Sequence, residues 1–312
     1  MKAFQKHLLI LVALVLILQT ACEKKIDFEG DVLTSKLVVN DDFDPTRSWS
    51  VHVSNSLSVI DNANLRVIED AEVNIYNGND LVETLIHTND GFYHSLDILP
   101  KPNTNYTIEV SAPGFEPVTS TSIAPDNNLE ILSIDTSYVE REFSDSRSLR
   151  LDITIKDTQV GQNYYGIGAT GIFINPQTMQ ESHHVLHLYS SGLIFGASNG
   201  DNKYGETLPF DDILFDNNQY VLSVNIDQID GEYQEIYDEF GTYIGYELVP
   251  PTTLKLRFFS YSEELYLYNK SINSYENNNG DPFSQPTQVF TNIEGGFGIF
   301  GGFTEDEYIY HL

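Results

Sequence analysis

From Lys36 onward the apolar residues of this chain come in short runs that alternate with polar ones and stop at Gly, Asn, Asp or Pro. A period of two places all apolar side chains on one face of a strand, so this rhythm commits the chain to β-structure. Lys36-Leu-Val-Val-Asn40 and Trp49-Ser-Val-His-Val-Ser54 read as strands with Asp44-Pro45 between them. Glu72-Val-Asn-Ile-Tyr76 leads into the hairpin turn Asn77-Gly78 and then Leu81-Val-Glu-Thr-Leu85. Asn89-Asp-Gly91 turns into Phe92-Tyr93, and Tyr106-Thr-Ile-Glu-Val110 ends at Pro113-Gly114-Phe115. Such spacing suggests a β-sandwich over residues 34–125.

Ile123-Ala-Pro125-Asp-Asn-Asn128 marks a boundary, and residues 126–312 read as a second β-rich domain. Leu149–Ile155, Tyr164–Ile174, Tyr220–Ile226, Tyr243–Leu248 and Leu254–Phe259 are its expected strands, while Asp201–Asn218 is expected to loop over the surface. One helix is expected at about 261–279. Ser260-Tyr-Ser-Glu263 reads as a capping box with Ser260 as N-cap, and Leu265, Tyr268, Ile272 and Tyr275 mark an apolar face.

The start of the chain is of another kind. Lys2 and Lys6 precede the uninterrupted apolar run Leu8–Leu18, which as a helix would rise about 16 Å against a hydrocarbon core of ~30 Å. The run is a signal-peptide core, not a membrane span. It leads to Gln19-Thr20-Ala21-Cys22, where Cys22 is the one cysteine of the chain. This resembles a bacterial lipobox, with Gln19 where an aliphatic residue is usual. Residues 1–21 are thus expected to be a lipoprotein signal peptide, Cys22 the site of a diacylglycerol anchor, and residues 22–33 a lipidated tether.

Charge narrows the partners. Acidic residues outnumber basic ones 46 to 16, for a net charge of -30. Nucleic-acid binding, which needs clustered Lys and Arg, is excluded, and so is charge-driven docking on anionic lipid. Gly296-Phe-Gly-Ile-Phe-Gly301 spells G-x-G-x-x-G, but residues 302–312 leave no room for the helix and distal acid of a dinucleotide site. No nucleotide is expected there. Its glycines point to close backbone approach in a closing strand of the second domain, with Asn292 and Glu294 satisfying amides nearby.

His183, His184 and His187 form the one histidine cluster and are candidate Zn or Cu ligands, set against plain exposure on a strand. Asn225–Glu232 faintly follows a calcium loop, although Ile229 and the glycine position depart from it. Asp41-Asp42-Phe43-Asp44 reads as a solvated turn, and acidic loops of this kind are candidates for weak calcium binding. No G-x-S-x-G elbow is present, the lone cysteine is assigned to lipid, and enzymatic activity is not expected.

Two resemblances follow from these motifs. Residues 70–118 resemble a transthyretin-like or carboxypeptidase-regulatory-like sandwich, on Ala71–Tyr76, Asn89–Tyr93, Tyr106–Val110 and Ala112–Phe115. The chain as a whole resembles the Bacteroidota outer-membrane lipoproteins of domain of unknown function 4249. Lys36–Asn40, Trp49–Ser54, Phe210–Phe215, the helix around Tyr266–Ser274, Asp281–Pro286 and Val289–Gly301 carry that likeness. The resemblance implies a lipid-anchored protein of the cell envelope and outer membrane, often encoded beside a TonB-dependent receptor. It carries over no catalytic residue and no cofactor beyond the lipid. The expected function is therefore a non-enzymatic binding or interaction module accessory to such a receptor. Direct capture of a glycan or nutrient is the alternative, and metal handling through His183, His184 and His187 the third reading.

Overall fold

The computed structural model describes residues 34–58, 66–140, 147–190, 192–195, 207–226, 231–278 and 287–312. The signal segment, Cys22, the tether, Asp227–Asp230 of the calcium-like loop and Asp281–Pro286 lie outside the described residues.

The first part of the chain holds β1 (Leu37–Phe43), β2 (Ser50–Asn55), β3 (Glu72–Asn77), β4 (Asp80–Thr84), β5 (Ile86–His87), β6 (Phe92–His94), β7 (Asn105–Ser111) and β8 (Val118–Ile123). The second holds β9 (Leu129–Glu140), β10 (Arg147–Asp157), β11 (Tyr164–Ile174), β12 (Glu181–Leu186), β13 (Leu188–Tyr189), β14 (Thr207–Asp211), β15 (Gln219–Ile226), β16 (Glu232–Tyr237), β17 (Tyr243–Val249) and β18 (Thr253–Tyr261). Helix α1 (Glu263–Asn278) and the long β19 (Phe297–His311) close the chain. Among the described residues the protein is mainly β with one packed α-helix, as expected.

Two sandwiches result. In the first, the layer β5-β6-β2-β1-β19 faces β4-β3-β7-β8. Val39, Val51 and Val53 from one layer meet Val73, Ile75 and Ile108 from the other, all at most 1% exposed. Phe43, Trp49, Tyr106 and Phe300 form an aromatic group at its end, with ring centroids 4.7–6.2 Å apart. In the second, β12-β11-β18-β19 faces β13-β15-β10-β9, and Leu151, Ile153, Leu222 and Val224 pack against Tyr165, Ile167, Leu254 and Leu256.

Strand β19 belongs to both. Phe297–Gly302 pair in parallel with Val38–Phe43 of β1, and Phe303–His311 pair antiparallel with Thr253–Tyr261 of β18. The closing glycine motif was expected inside the second domain. Instead Phe297–Gly301 pair with β1 and complete the sandwich of residues 34–125, where Phe300 is fully buried. The expected boundary near Pro125 falls between β8 and β9, and β19 crosses it in space. Asn292 makes the expected amide contacts. It accepts from Phe300 N–H at 3.0 Å and donates to Phe300 C=O at 2.7 Å.

Three local expectations are corrected. Residues 207–211, expected within a surface loop, form β14 along β11, with Leu208, Phe210 and the following Phe215 buried. Pro209 conceals this strand, since proline is tolerated only at an edge, and among the described residues β14 pairs on one side alone. Ser260 is not the helix cap. Its pairing with Tyr165 and Thr304 keeps it in β18, and Ser262 caps α1, its Oγ accepting Leu265 N–H at 3.3 Å and its C=O accepting Tyr266 N–H at 3.0 Å. With the start moved by two residues, Leu265 and Tyr266 become the buried anchors while Tyr275 is 46% exposed. Asp41–Asp44 is not a solvated turn either. Asp41 and Phe43 lie buried on the extended end of β1, and buried Asp44 caps the turn by accepting Thr46 N–H at 2.7 Å.

Candidate binding cleft

The site grows from the alternation of β18. Leu254, Leu256 and Phe258 face the core, so Lys255, Arg257, Phe259 and Tyr261 face outward. On β19 their cross-strand partners are Ile309, Glu307, Glu305 and Phe303. On β11, Thr170, Gly168, Gly166 and Tyr164 flank the same row. Gly166 is required here: a β-carbon would stand 2.5 Å from the Tyr261 ring. Phe259 and Tyr261 therefore lie flat against this row, stacked at 5.5 Å and 7°.

Helix α1 covers the aromatic end, with Leu265 packed into a cluster with Phe259, Tyr261, Ile299 and Phe303. The helix can approach because Gly301 lies beneath it, where a β-carbon would stand 2.7 Å from Leu265 Cβ. The charged end stays open. There a cleft of about 1190 Å³ is bounded by the β1–β2 turn, β18, β19 and the helix. A neighbouring cleft of about 680 Å³ on the other side of the turn shares Asp42, Asp44, Arg47, Leu265 and Asn269.

Three of the chain's few cations converge on the larger cleft, each tied to an acid or ring. Lys255 pairs with Glu307 and Arg47 with Asp44. Arg257 lies 5.4 Å over the Phe259 ring, and its buried Nε has no hydrogen-bond partner among the described residues. Burial pushes the Glu305 carboxyl up; Arg257 opposes that and Glu307 adds to it. Burial also works to raise Asp44, but bonds from Thr46 and Arg47 outweigh it and hold its carboxyl below the usual range. Outside the cleft lining, in the first turn of α1, Tyr266 donates to Asp211 Oδ2 at 3.0 Å and receives Lys270 Nζ at 3.0 Å. The cleft surface exchanges hydrogen bonds with a polar ligand while fixed charges set its register. The volume lies slightly above the usual small-molecule range of ~300–1,000 Å³.

The histidines do not assemble as a metal site. His183 pairs with Glu181 on the rim of the cleft, His184 stands edge-on to Phe173 at 5.5 Å, and His187 follows the end of β12. Strand alternation sends His183 and His184 to opposite faces, and the chain leaves β12 at Leu186 before His187 can rejoin either. The carboxylates of Asp157, Asp212 and Asp216, by contrast, lie within 4.8 Å of one another and could share a cation. Asp157 and Asp212 are buried. Asp157 accepts from Tyr165 OH at 2.8 Å and Asn217 N–H at 2.8 Å, and Asp212 from Asn163 N–H at 2.9 Å. Burial raises the Asp212 carboxyl, Asn163 opposes this, and the charges of Asp157 and Asp216 add to it. Asp157 stands 55 positions before Asp212 in sequence, so only the meeting of two chain segments brings it to Asp212 and Asp216.

Neither the cleft cations nor this carboxylate group carried a motif in the sequence. The alternation of Lys255 and Arg257 with Leu254 and Leu256 was the signal available for the former. No curated protein and no solved structure matches the chain. The family described as domain of unknown function (DUF4249) matches residues 23–309, and the chain belongs to that family.

Proposed function

We propose that this chain is a non-catalytic binding protein of the cell envelope, held at the outer membrane by lipid on Cys22 and working beside a TonB-dependent receptor. The observation that carries the reading is the cleft. It gathers Arg47, Lys255 and Arg257 in a chain of net charge -30, ties the first two to acids and leaves Arg257 Nε unpartnered among the described residues. Fixed, paired charges over a rigid sheet recognise a polar segment without needing to be rebuilt on binding. The lipobox supports the anchoring, since Cys22 closely follows an apolar run too short to cross a bilayer. A second reading, direct capture of a glycan, is favoured by the size of the cleft and by the Asn127, Asn269 and Asn273 amides along it.

Purification of the lipoprotein from solubilised envelopes, followed by mass spectrometry, tests the proposal. A TonB-dependent receptor should co-purify with wild type and be depleted at least about five-fold with Arg257→Ala. Loss of oligosaccharide binding with receptor capture intact would favour the second reading, and neither effect would remove the cleft from both. Metabolic labelling with a fatty-acid analogue tests the anchor: wild type should take up label and Cys22→Ala should not.

A further inference from the structure

The β16–β17 hairpin stands apart from both sandwiches, since its strands pair with each other and with no other strand among those described. Cross-strand register puts Tyr233 with Leu248, Glu235 with Tyr246 and Tyr237 with Tyr243 on one face. A bulge after Ile236 leaves Ile244 as the extra residue, which brings Tyr243 around to Tyr246 at 5.5 Å and Tyr237 at 6.1 Å. The face is open to solvent: Tyr233 is 73% and Tyr246 60% exposed, with Phe240 at the tip 84% exposed.

An isolated two-stranded hairpin is marginal in water, yet this one is held in shape. Asp238 Oδ1 accepts the N–H groups of Phe240 at 2.9 Å and Thr242 at 2.8 Å. From the β11–β12 turn, Gln177 donates to Tyr237 C=O at 2.9 Å and accepts its N–H at 3.0 Å. The other face, with Gln234, Ile236 and Gly245 half-buried, is the more covered one. A braced element thus presents its tyrosines outward.

Charge says what covers them. The hairpin carries Glu235, Asp238, Glu239 and Glu247, and no Lys or Arg occurs between Lys203 and Lys255. Tyrosine faces attract cations through the ring quadrupole, and carboxylates beside them fix the cation's position. Tyrosine also contributes large contact area at low conformational cost. We propose that this face docks a lysine- or arginine-bearing segment of a protein partner. The proposal is independent of the cleft.

Fluorescence anisotropy of the full-length protein with a labelled peptide of alternating glycine and arginine, at physiological salt, is the test. Wild type should bind it at least about ten-fold more tightly than a glycine–glutamine peptide of equal length. Tyr233→Ser with Tyr246→Ser should lose about ten-fold with an unchanged melting temperature, while Tyr233→Phe with Tyr246→Phe should keep the affinity, because the ring face remains. Glu72→Gln with Glu109→Gln, on the outer side of β3 and β7, and Arg257→Ala in the cleft should each leave it unchanged. Equal loss in the Glu72/Glu109 variant would mean diffuse charge attraction and overturn the proposal. So would full affinity in the serine pair, or protection of residues 233–248 from hydrogen exchange by an oligosaccharide and not by the arginine peptide.

Discussion

Gly298 sits directly against Val39: a β-carbon on it would stand 2.0 Å from the Val39 carbonyl oxygen. The contact joins the far end of the chain to its first strand, because Val39 and Gly298 are register partners in the parallel β1–β19 pair. Gly298 also has φ of +106°, a region that side chains rarely adopt.

Gly298→Val therefore meets both a clash and backbone strain. We expect a loss of about 3 kcal/mol or more, read as a lower urea midpoint. The first sandwich should loosen first, reported by Trp49, whose ring lies 5.9 Å from that of Phe300. NAD or ATP should leave the melting temperature of wild type unmoved. A nucleotide-dependent rise in wild type that is absent from the variant would contradict a structural role for the motif.

The helix start gives a sharper test of register. Ser262→Ala removes the acceptor for Leu265 N–H and should cost about 1 kcal/mol. Ser260→Ala removes only a 3.4 Å contact with Asn127 and should cost distinctly less. The reverse order in chemical denaturation would return the cap to Ser260.

How much of this could be read in advance depends on how local the determinants are. The alternation in Glu72–Tyr76 or Tyr106–Val110 is a property of a few neighbouring residues, and those strands stand where it indicates. The cap at Ser262 was missed because two serines compete within three residues, and sheet pairing to Thr304, far along the chain, decides between them. The resemblance of Phe210–Phe215 and Val289–Gly301 to the family was visible, but the use of those residues was not. Asp212 becomes part of a carboxylate group only when its loop meets Asp157, and the glycines enter the first sandwich only because β19 pairs with β1 before it crosses to β18. Arg257 was hidden in an ordinary alternating strand.

The histidines should prove dispensable for metal. His183→Ala with His187→Ala is expected to leave bound zinc and copper, and the response of melting temperature to chelators, unchanged. Strand alternation and the end of β12 keep the cluster from converging. Stoichiometric metal lost in this variant, measured by elemental analysis, would restore the metal-handling reading.

Asp157 is a structural keystone whatever the cation chemistry of its loop. It is fully buried and accepts bonds from Tyr165 OH, Gln159 N–H and Asn217 N–H. Asp157→Ala leaves the buried Tyr165 hydroxyl and two part-buried amides without their acceptor, together with the space of the lost carboxyl, and should cost about 3 kcal/mol or more. Tyr165→Phe, which removes one donor along with its bond, should cost less. Equal effects would mean that the loop donors find other partners.

Asp41 should make the protein less stable as pH rises. Burial, and next the charge of Asp42, push its carboxyl up to about 8, against the opposing pull of Ser50 N–H and Arg47. Its Oδ2 is buried without a hydrogen-bond partner among the described residues, so ionisation there is poorly compensated. Between about pH 4 and pH 8 the native state keeps a proton that the unfolded chain has released. Stability from this group is therefore fully present below about pH 4 and declines as pH climbs through that window. Asp41→Asn preserves the shape and cannot ionise. It should match or fall slightly below wild type at pH 4 and exceed it at pH 8 by on the order of 2–5 kcal/mol. Urea unfolding of both proteins across that range isolates the effect, because the other carboxylates cancel in the difference. A difference that stays constant with pH would mean that Asp41 is ionised in the folded protein throughout, with Arg47 as the nearest charge able to compensate it.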